Sequence, residues 1–437
     1  MKKNNLTNLL NLLNKKEFIQ AEKITKELIS LSPNNKNYKN ILAIIYANTG
    51  KSELALDILQ KIILDDREFQ DAYNNLFTIL DNKYTFKNSE IIYLNLLKAQ
   101  PDNIKILIKY SNNLLKIENY NQSIKILEKI VKLDNKNIKA IYNLGCAYNG
   151  LLKIEKANLC FKKAIKIDAN HFKSQYNLAL NYLTTLNFKK GWEGFEYRKK
   201  VLEIKEEILG IPKTKLWDGK SYTEILVVHA EQGIGDEILI SSLFQEISKY
   251  TSKLIISCDK RLKQIFEESF PYAQFTDRNK TFEVDKNAKH IFGFSLCKYF
   301  RSDLDSFKFK QKKWIKPKFT NVQNILDNKN NLKKIKIGIS WKSTGNYNEK
   351  RNISLSDYFN IFPEEYFELV NLQYGNINSD IKNLKKVSKR NLIHFNNFDY
   401  KNDICGLSRL ILSCDLIVSI GGFTSGLAGA LGKETWA

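Results

Sequence analysis

Over the first two hundred positions, apolar residues return at helical spacing in paired segments divided by a short polar break, and the pattern recurs every 34 residues. In residues 138–171, Leu144, Gly145, Tyr148, Ala157, Phe161 and Ala164 take the small and large contact positions of a helix-turn-helix unit. Stepping back from Ala157 by one repeat at a time meets Ser123, Ser89, Ala55 and Ala21, all small. From Leu144 the same step meets Tyr110, Leu76 and Leu42, all large, and then Asn8 in an atypical first unit. Small residues are needed where antiparallel helices cross closely, and large ones fill the space beside them. Pro33 and Pro101 share one position after the second helix, where a helix has to end. The pattern predicts five repeats over 2–171 and a weaker sixth over about 172–205, with Tyr182 and Phe195 in register and Gly191 replacing the usual Ala. Such units stack into a solenoid.

Near residue 210 the period changes. Pro212, Gly219 and a charge run mark a boundary, and short β-branched runs then alternate with helical segments. Strands are expected at 225–229, 254–258 and 290–294, and, after a basic connection at 310–333, at 335–341, 369–374, 392–395 and 416–420. Helices are expected near Asp236, Lys260 and Ser295, over 403–413 and over 425–431. This alternation predicts two parallel-sheet lobes with right-handed crossovers. The expected domains are a repeat array over 1–205, a first lobe over 206–325 and a second over 326–437.

Candidate chemistry gathers where expected strands end. Residues 225–243, ILVVHAEQGIGDEILISSL, read as strand, glycine loop and helix, and ligands sit at the carboxyl ends of such strands. Gly233 and Gly235 permit a sharp turn and close approach, and Asp236 is either a helix cap or a carboxylate poised to take a proton from a hydroxyl. The turn 419–426, SIGGFTSG, delivers Gly421 and Gly422 and the hydroxyls of Thr424 and Ser425 to a helix start. It reads as a diphosphate cradle or as a tight turn without a ligand, and it lacks G-x-G-x-x-G spacing. In the loop 341–352, Lys342 and Arg351 are either cations for a pyrophosphate or part of a solvated basic loop. Gln373, two places before Gly375, is read as a base- or sugar-edge contact or as a plain surface residue. In the repeats, Asn75, Asn143 and Asn177 recur at one position, interrupted by Lys109; they either grip a peptide backbone or bond within the repeats.

Composition narrows the classes. Hydrophobic content of 43% with 12% aromatics over 437 residues marks a globular chain of two or three domains. The net charge of +22 comes from lysines spread along the whole chain, without an arginine-rich stripe, so no specific nucleic-acid partner is expected. The six cysteines form no C-x-x-C pair and the four histidines are scattered, which argues against zinc and for reduced thiols. Asparagines interrupt the leucines of the N-terminus, a poor signal peptide, and no run approaches the roughly 18 apolar residues of a membrane span. A soluble cytoplasmic protein is expected.

The first part resembles the tetratricopeptide repeat, whose usual use is to hold a peptide or partner protein on a concave face. The segments WDGKSYTEILVVHAEQGIGDEI, CDKRLKQIFEESFP, GISWKSTGN…KRNISLSDY, LVNLQYG and CDLIVSIGGFTSGLAGALGKETW together resemble bacterial tetratricopeptide-repeat glycosyltransferases. That group is similar to heptosyltransferases and, more distantly, to O-GlcNAc transferases. The resemblance implies an α-helical repeat solenoid followed by a GT-B-like pair of Rossmann-type lobes. It implies inverting, metal-independent glycosyl transfer from a nucleoside-diphosphate sugar, with no other cofactor. Asp236 would be the base, and His229, Glu231, Gln232, Gly233 and Gly235 would lie on the acceptor side. Lys342, Arg351, Gln373, Gly421, Gly422, Thr424 and Ser425 would hold the donor. A non-catalytic interaction scaffold with a degenerate transferase half is the alternative. Two departures stand out. Related sequences carry Asp or Asn where this chain has Gly421 or Gly422, and His where it has Gly426. The second lobe is also expected to continue past Ala437, leaving a sheet edge unpaired.

Overall fold

A computed structural model describes residues 2–83, 86–202, 215–280, 285–308, 313–318, 334–343, 352–388 and 390–437. It divides into two compact units, Met1–Asn181 and Tyr182–Ala437.

The first unit is a run of antiparallel helical hairpins: α1 (Lys2–Asn14) with α2 (Phe18–Leu31), α3 (Lys36–Asn48) with α4 (Ser52–Asp65), α5 (Gln70–Lys83) with α6 (Phe86–Ala99), α7 (Ile104–Lys116) with α8 (Tyr120–Leu133), and α9 (Ile138–Gly150) with α10 (Ile154–Ile167), then α11 (Phe172–Thr184). Local chemistry sets their ends. Asn35, Asn103 and Asn137 cap α3, α7 and α9 by accepting from amides of the first turn. Lys16, Gly50, Glu118 and Leu152, at equivalent places between paired helices, adopt left-handed backbone with φ of 60, 81, 59 and 57°. The small residues foreseen at the crossings, Ala21, Ala55, Ser123 and Ala157, are fully buried. A Cβ on Gly145 would fall 2.5 Å from the Phe161 ring, so this crossing requires glycine. The array is a tetratricopeptide-type helical solenoid.

The second unit opens with α12 (Phe188–Phe195) and α13 (Arg198–Val201) and holds two four-stranded, all-parallel sheets. The first comprises β1 (Thr223–His229), β2 (Thr251–Cys258), β3 (Ala273–Asp277) and β4 (Lys289–Phe292), ordered β3-β2-β1-β4. Its helices are α14 (Ile234–Ser241), α15 (Phe244–Ile247), α16 (Lys260–Ser269) and α17 (Cys297–Phe300). The second comprises β5 (Ile335–Ser340), β6 (Phe367–Asn371), β7 (Leu416–Ser419) and β8 (Thr435–Trp436), ordered β6-β5-β7-β8. It is flanked by α18 (Leu355–Ile361), α19 (Asn378–Val387), α20 (Ile404–Ser413) and α21 (Phe423–Ala430). One apolar core runs through both lobes, joining Leu226, Val228 and Ile256 to Leu410, Ile417 and Leu427. The chain ties them again where the amides of Trp314 and Ile315 donate to the carbonyl of Ala430 at 3.1 Å.

Three expectations are revised. The units divide at Asn181, not at 205, because α12 and α13 pack onto the first sheet: Phe195 meets Phe294 edge-on, and the Arg198 guanidinium is buried there. The strand foreseen at 392–395 is a single bridge between Ile393 and Val370. Strand β3 escaped notice because AQFTD buries only Phe275 and forms the sheet edge.

Candidate ligand site at the strand ends

Strand β1 ends at His229, whose Nε2 lies 2.9 Å from His290 Nδ1 on β4, with the rings stacked. Burial and its neighbour push His229 down to about 4, so the pair is neutral. The chain then turns through Gln232, in left-handed backbone, to Gly233, the N-cap of α14. Asp236 sits in the third position of that helix, and its Oδ2 accepts the Gly233 amide at 2.9 Å. The capping role is therefore in place. Its other oxygen makes no hydrogen bond among the described residues, and desolvation raises its pKa despite the Gly233 bond.

Glu231, expected on the acceptor side, is instead an anchor. It takes Arg198 Nη2 at 2.6 Å and Nε at 2.9 Å, and also the Phe294 amide. Both side chains are buried, so the pair fastens α13 to the first sheet.

Sequence reasoning missed Glu237. It is 4% exposed, and burial raises its pKa to about 7. Its Oε1 takes Arg278 Nη1 at 2.7 Å and its Oε2 takes the Asp259 amide at 2.8 Å, while the same Arg278 nitrogen also reaches the Gln232 carbonyl. Glu237, Asp259 and Arg278 follow β1, β2 and β3, so one carboxylate knots together three strand-end loops. Only part of the signal was available: Asp259 directly follows the foreseen strand β2, whereas Glu237 lies inside α14 and the strand before Arg278 was not foreseen.

In the second lobe the cradle is partly self-satisfied. Ser425 Oγ donates to the Gly422 carbonyl and accepts the Gly422 amide, closing the turn on itself. Thr424 is 2% exposed, and its hydroxyl has no partner among the described residues. Space is open where a Cβ would stand on Gly421, Gly422 and Gly426, so sterics do not require glycine at these places. Gln373 is turned inward rather than towards a base or sugar. Its Oε1 accepts from Ser340 Oγ and from the amides of Trp341 and Lys342, and its Nε2 donates to the Tyr374 carbonyl, pinning β5 to β6. The Lys342 ammonium is paired with Asp380. Arg351 lies outside the described residues.

The asparagine row also bonds within the array. Asn75 Nδ2 donates to Asn40 Oδ1 at 2.9 Å, Asn143 Nδ2 to Asn112 Oδ1 at 2.5 Å, and Asn177 Nδ2 to the Tyr142 hydroxyl at 3.1 Å. Each bond ties one repeat to the one before it and uses one of the two N–H donors of its carboxamide. Lys109, the interruption, does the same work through Asp81.

The two strand-end regions do meet. A Cβ on Gly235 would fall 3.3 Å from Phe423 Cα, so the start of α14 lies against the start of α21 and glycine permits the approach. Beside this contact is a cavity of about 180 Å³ lined by Ile234, Arg261, Tyr374, Tyr400, Lys401 and Phe423. Arg261 is oriented by two 2.8 Å bonds to Asp259, whose carboxyl that guanidinium holds down at about 2. Rings, cations and helix N-termini suit a flat, anionic group. The volume is below the roughly 300–1,000 Å³ of whole small-molecule sites, so it fits one moiety. Among the described residues no three His, Cys, Asp or Glu side chains converge as a metal site, and no helix is long and apolar enough to cross a membrane.

The molecule is thus a tetratricopeptide-type array in one chain with an α/β unit of two parallel sheets. No protein-family profile matches it. It is 26% identical over 267 residues to Protein FlbA of Caulobacter vibrioides, covering 56% of this chain and 44% of that protein. The chain therefore spans less than half the length of that curated relative. Similar solved structures include a MamA RS-1 double mutant, with TM-score 0.34 and 20% identity over 40% of this chain and 98% of that one. YrrB, described as a TPR protein with an unusual peptide-binding site, has TM-score 0.33 and 18% identity over 41% and 92%. A tetratricopeptide repeat protein from Parabacteroides merdae has TM-score 0.36 and 15% identity over 47% and 80%.

Proposed function

We propose that the chain is an interaction scaffold whose repeat array binds an acidic segment of a partner protein. The observation that carries this is a row of lysines. Lys105, Lys139 and Lys173 occupy one repeat position on α7, α9 and α11, and all three are exposed. Lys139 and Lys173 make no ion pair among the described residues. Successive repeats thus present positive charge at a regular interval on a framework already stiffened by cross-repeat amide bonds. An extended chain bearing carboxylates at matching intervals answers that pattern. The test is fluorescence polarisation of a labelled Asp/Glu-rich peptide with the full chain. Reversing the three lysines to Glu weakens binding by roughly ten-fold or more if the reading is right, and unchanged binding refutes it.

A second reading, glycosyl transfer from a nucleoside-diphosphate sugar within GT-B-like lobes, is favoured by one feature: Asp236 begins its helix against the 421–425 corner. In that reading the cavity beside Phe423 takes part of the donor, and the unbonded Asp236 oxygen takes the acceptor's proton. Thermal shift with UDP, GDP and ADP sugars tests it. A donor that binds only the folded state raises the melting point. Asp236→Asn would keep that shift and lose transfer; no shift with any donor ends the reading.

A further inference from the structure

At the opposite end of the first sheet from the candidate site lies a second, larger cavity of about 540 Å³. Helices α14 and α16 run antiparallel to the strands, so their last residues, Ser241 and Ser269, stand where strands begin. Tyr272, also on the wall, immediately precedes β3. We infer that this cavity is a binding site for a neutral saccharide.

The argument is an inventory of donors and acceptors. Four serines line the wall, and every hydroxyl proton is already committed. Ser241 donates to Ile238 O, Ser242 to Leu239 O, Ser269 to Ile265 O and Ser306 to Asp303 O, at 2.5–2.7 Å. What the serines offer is lone pairs. Ser241 and Ser269 each already accept one bond, from Trp314 Nε1 and from the Lys316 amide, so Ser242 and Ser306 are the open acceptors. Two carboxylates share the wall: Glu246 is paired with Arg301, and Asp305 with Lys308. On the donor side, the Gln245 carboxamide and the ammonium groups of Lys249 and Lys316 have no partner among the described residues, while Lys308, also on the wall, is the partner of Asp305.

A phosphate accepts hydrogen bonds and donates few, so it would engage the lysines but leave the Ser242 and Ser306 lone pairs without a donor and set its charge beside two carboxylates. A polyol has a proton and lone pairs on every hydroxyl. It donates to Ser242 and Ser306 and accepts from Gln245 and Lys249. Trp314, fixed by its bond to Ser241, and Tyr272 supply apolar surface for the C–H face of a sugar ring. The cavity volume falls within the usual range for a small-molecule site.

The experiment is calorimetric titration of the full chain with glucose, mannose, N-acetylglucosamine and their β-linked disaccharides, with inorganic phosphate as the contrasting probe. The expected result is saturable binding of at least one saccharide, with a Kd on the order of 1 mM. Gln245→Ala with Lys249→Ala, both at exposed positions, weakens it roughly ten-fold or more. Asp236→Asn leaves it unchanged, which separates this site from the strand-end site. Binding of phosphate alone, binding that survives the double substitution, or no saccharide binding overturns the inference.

Discussion

Replacing Arg198 by Met removes the anchor between α13 and the first sheet. The guanidinium is fully buried and spans Glu231, Glu196, Ser295 and the Phe195 carbonyl, at 2.6–3.3 Å. Met fills much of the volume but returns none of the donors. Glu231, 8% exposed, keeps the Phe294 amide and becomes a buried, uncompensated charge. Breaking a buried pair from one side costs about 3–5 kcal/mol. At roughly 2–4 °C per kcal/mol for a unit of this size, melting falls by about 10 °C. Substituting Glu231→Gln as well removes the stranded charge, so the double variant recovers most of the loss. Urea unfolding of wild type, both single variants and the double variant measures the coupling. A loss below about 1 kcal/mol, or additive losses, refutes the reasoning. It would also return Glu231 to the acceptor side of the site.

Three further outcomes follow from particular residues. His229 has its pKa lowered from 6.5 to about 4, so the unfolded chain binds its proton first and stability is lost as pH falls through that window. The loss amounts to roughly 3 kcal/mol, and His229→Gln flattens that part of the urea-unfolding profile; an unaltered profile contradicts the neutral pair. Glu237 has its pKa raised from 4.5 to about 7, so its contribution runs the other way, present below the lower value and lost as pH rises through the upper. Its carbon-13 titration is expected near neutrality, and a midpoint near 4.5 would show the Arg278 pair outweighing burial. Leu152 is 82% exposed with φ of 57°, so Leu152→Gly relieves strain and raises stability by about 0.5–1 kcal/mol in chemical denaturation. A decrease would mean that Leu152 makes stabilising contacts after all.

The repeats were legible because their packing code is periodic. Ala21, Ala55 and Ala157 announce a helix crossing by sequence spacing alone, and the structure buries all three. The central strands were legible because β1 and β2 carry short continuous apolar runs, ILVV and LII, and β5 repeats isoleucine at every second place. The edge strand β3 was not, since Phe275 is the one residue it buries. Site residues were harder still, because a side chain's chemistry depends on what faces it across the fold. Gln373 and Glu231 have the residue types of ligand contacts, but their partners, Ser340 and Arg198, lie 33 positions away and turn them inward. Glu237 is the reverse case: beside Asp236 it looks like an ordinary first-turn carboxylate, and only Arg278 and Asp259 reveal it as a knot. The asparagine row showed the right periodicity, and each of its carboxamides makes a cross-repeat bond that the spacing alone did not reveal.

The central claim is that partner binding resides in the lysine row of the array and not in the α/β unit. Polarisation titrations of the labelled acidic peptide with wild type, the Lys105→Glu/Lys139→Glu/Lys173→Glu variant and Asp236→Asn test it directly. The expected result is loss of affinity by roughly ten-fold or more in the lysine variant, weakening of the wild-type complex with added salt, and no change in Asp236→Asn. Undiminished binding by the lysine variant, or loss of binding in Asp236→Asn, would contradict the account.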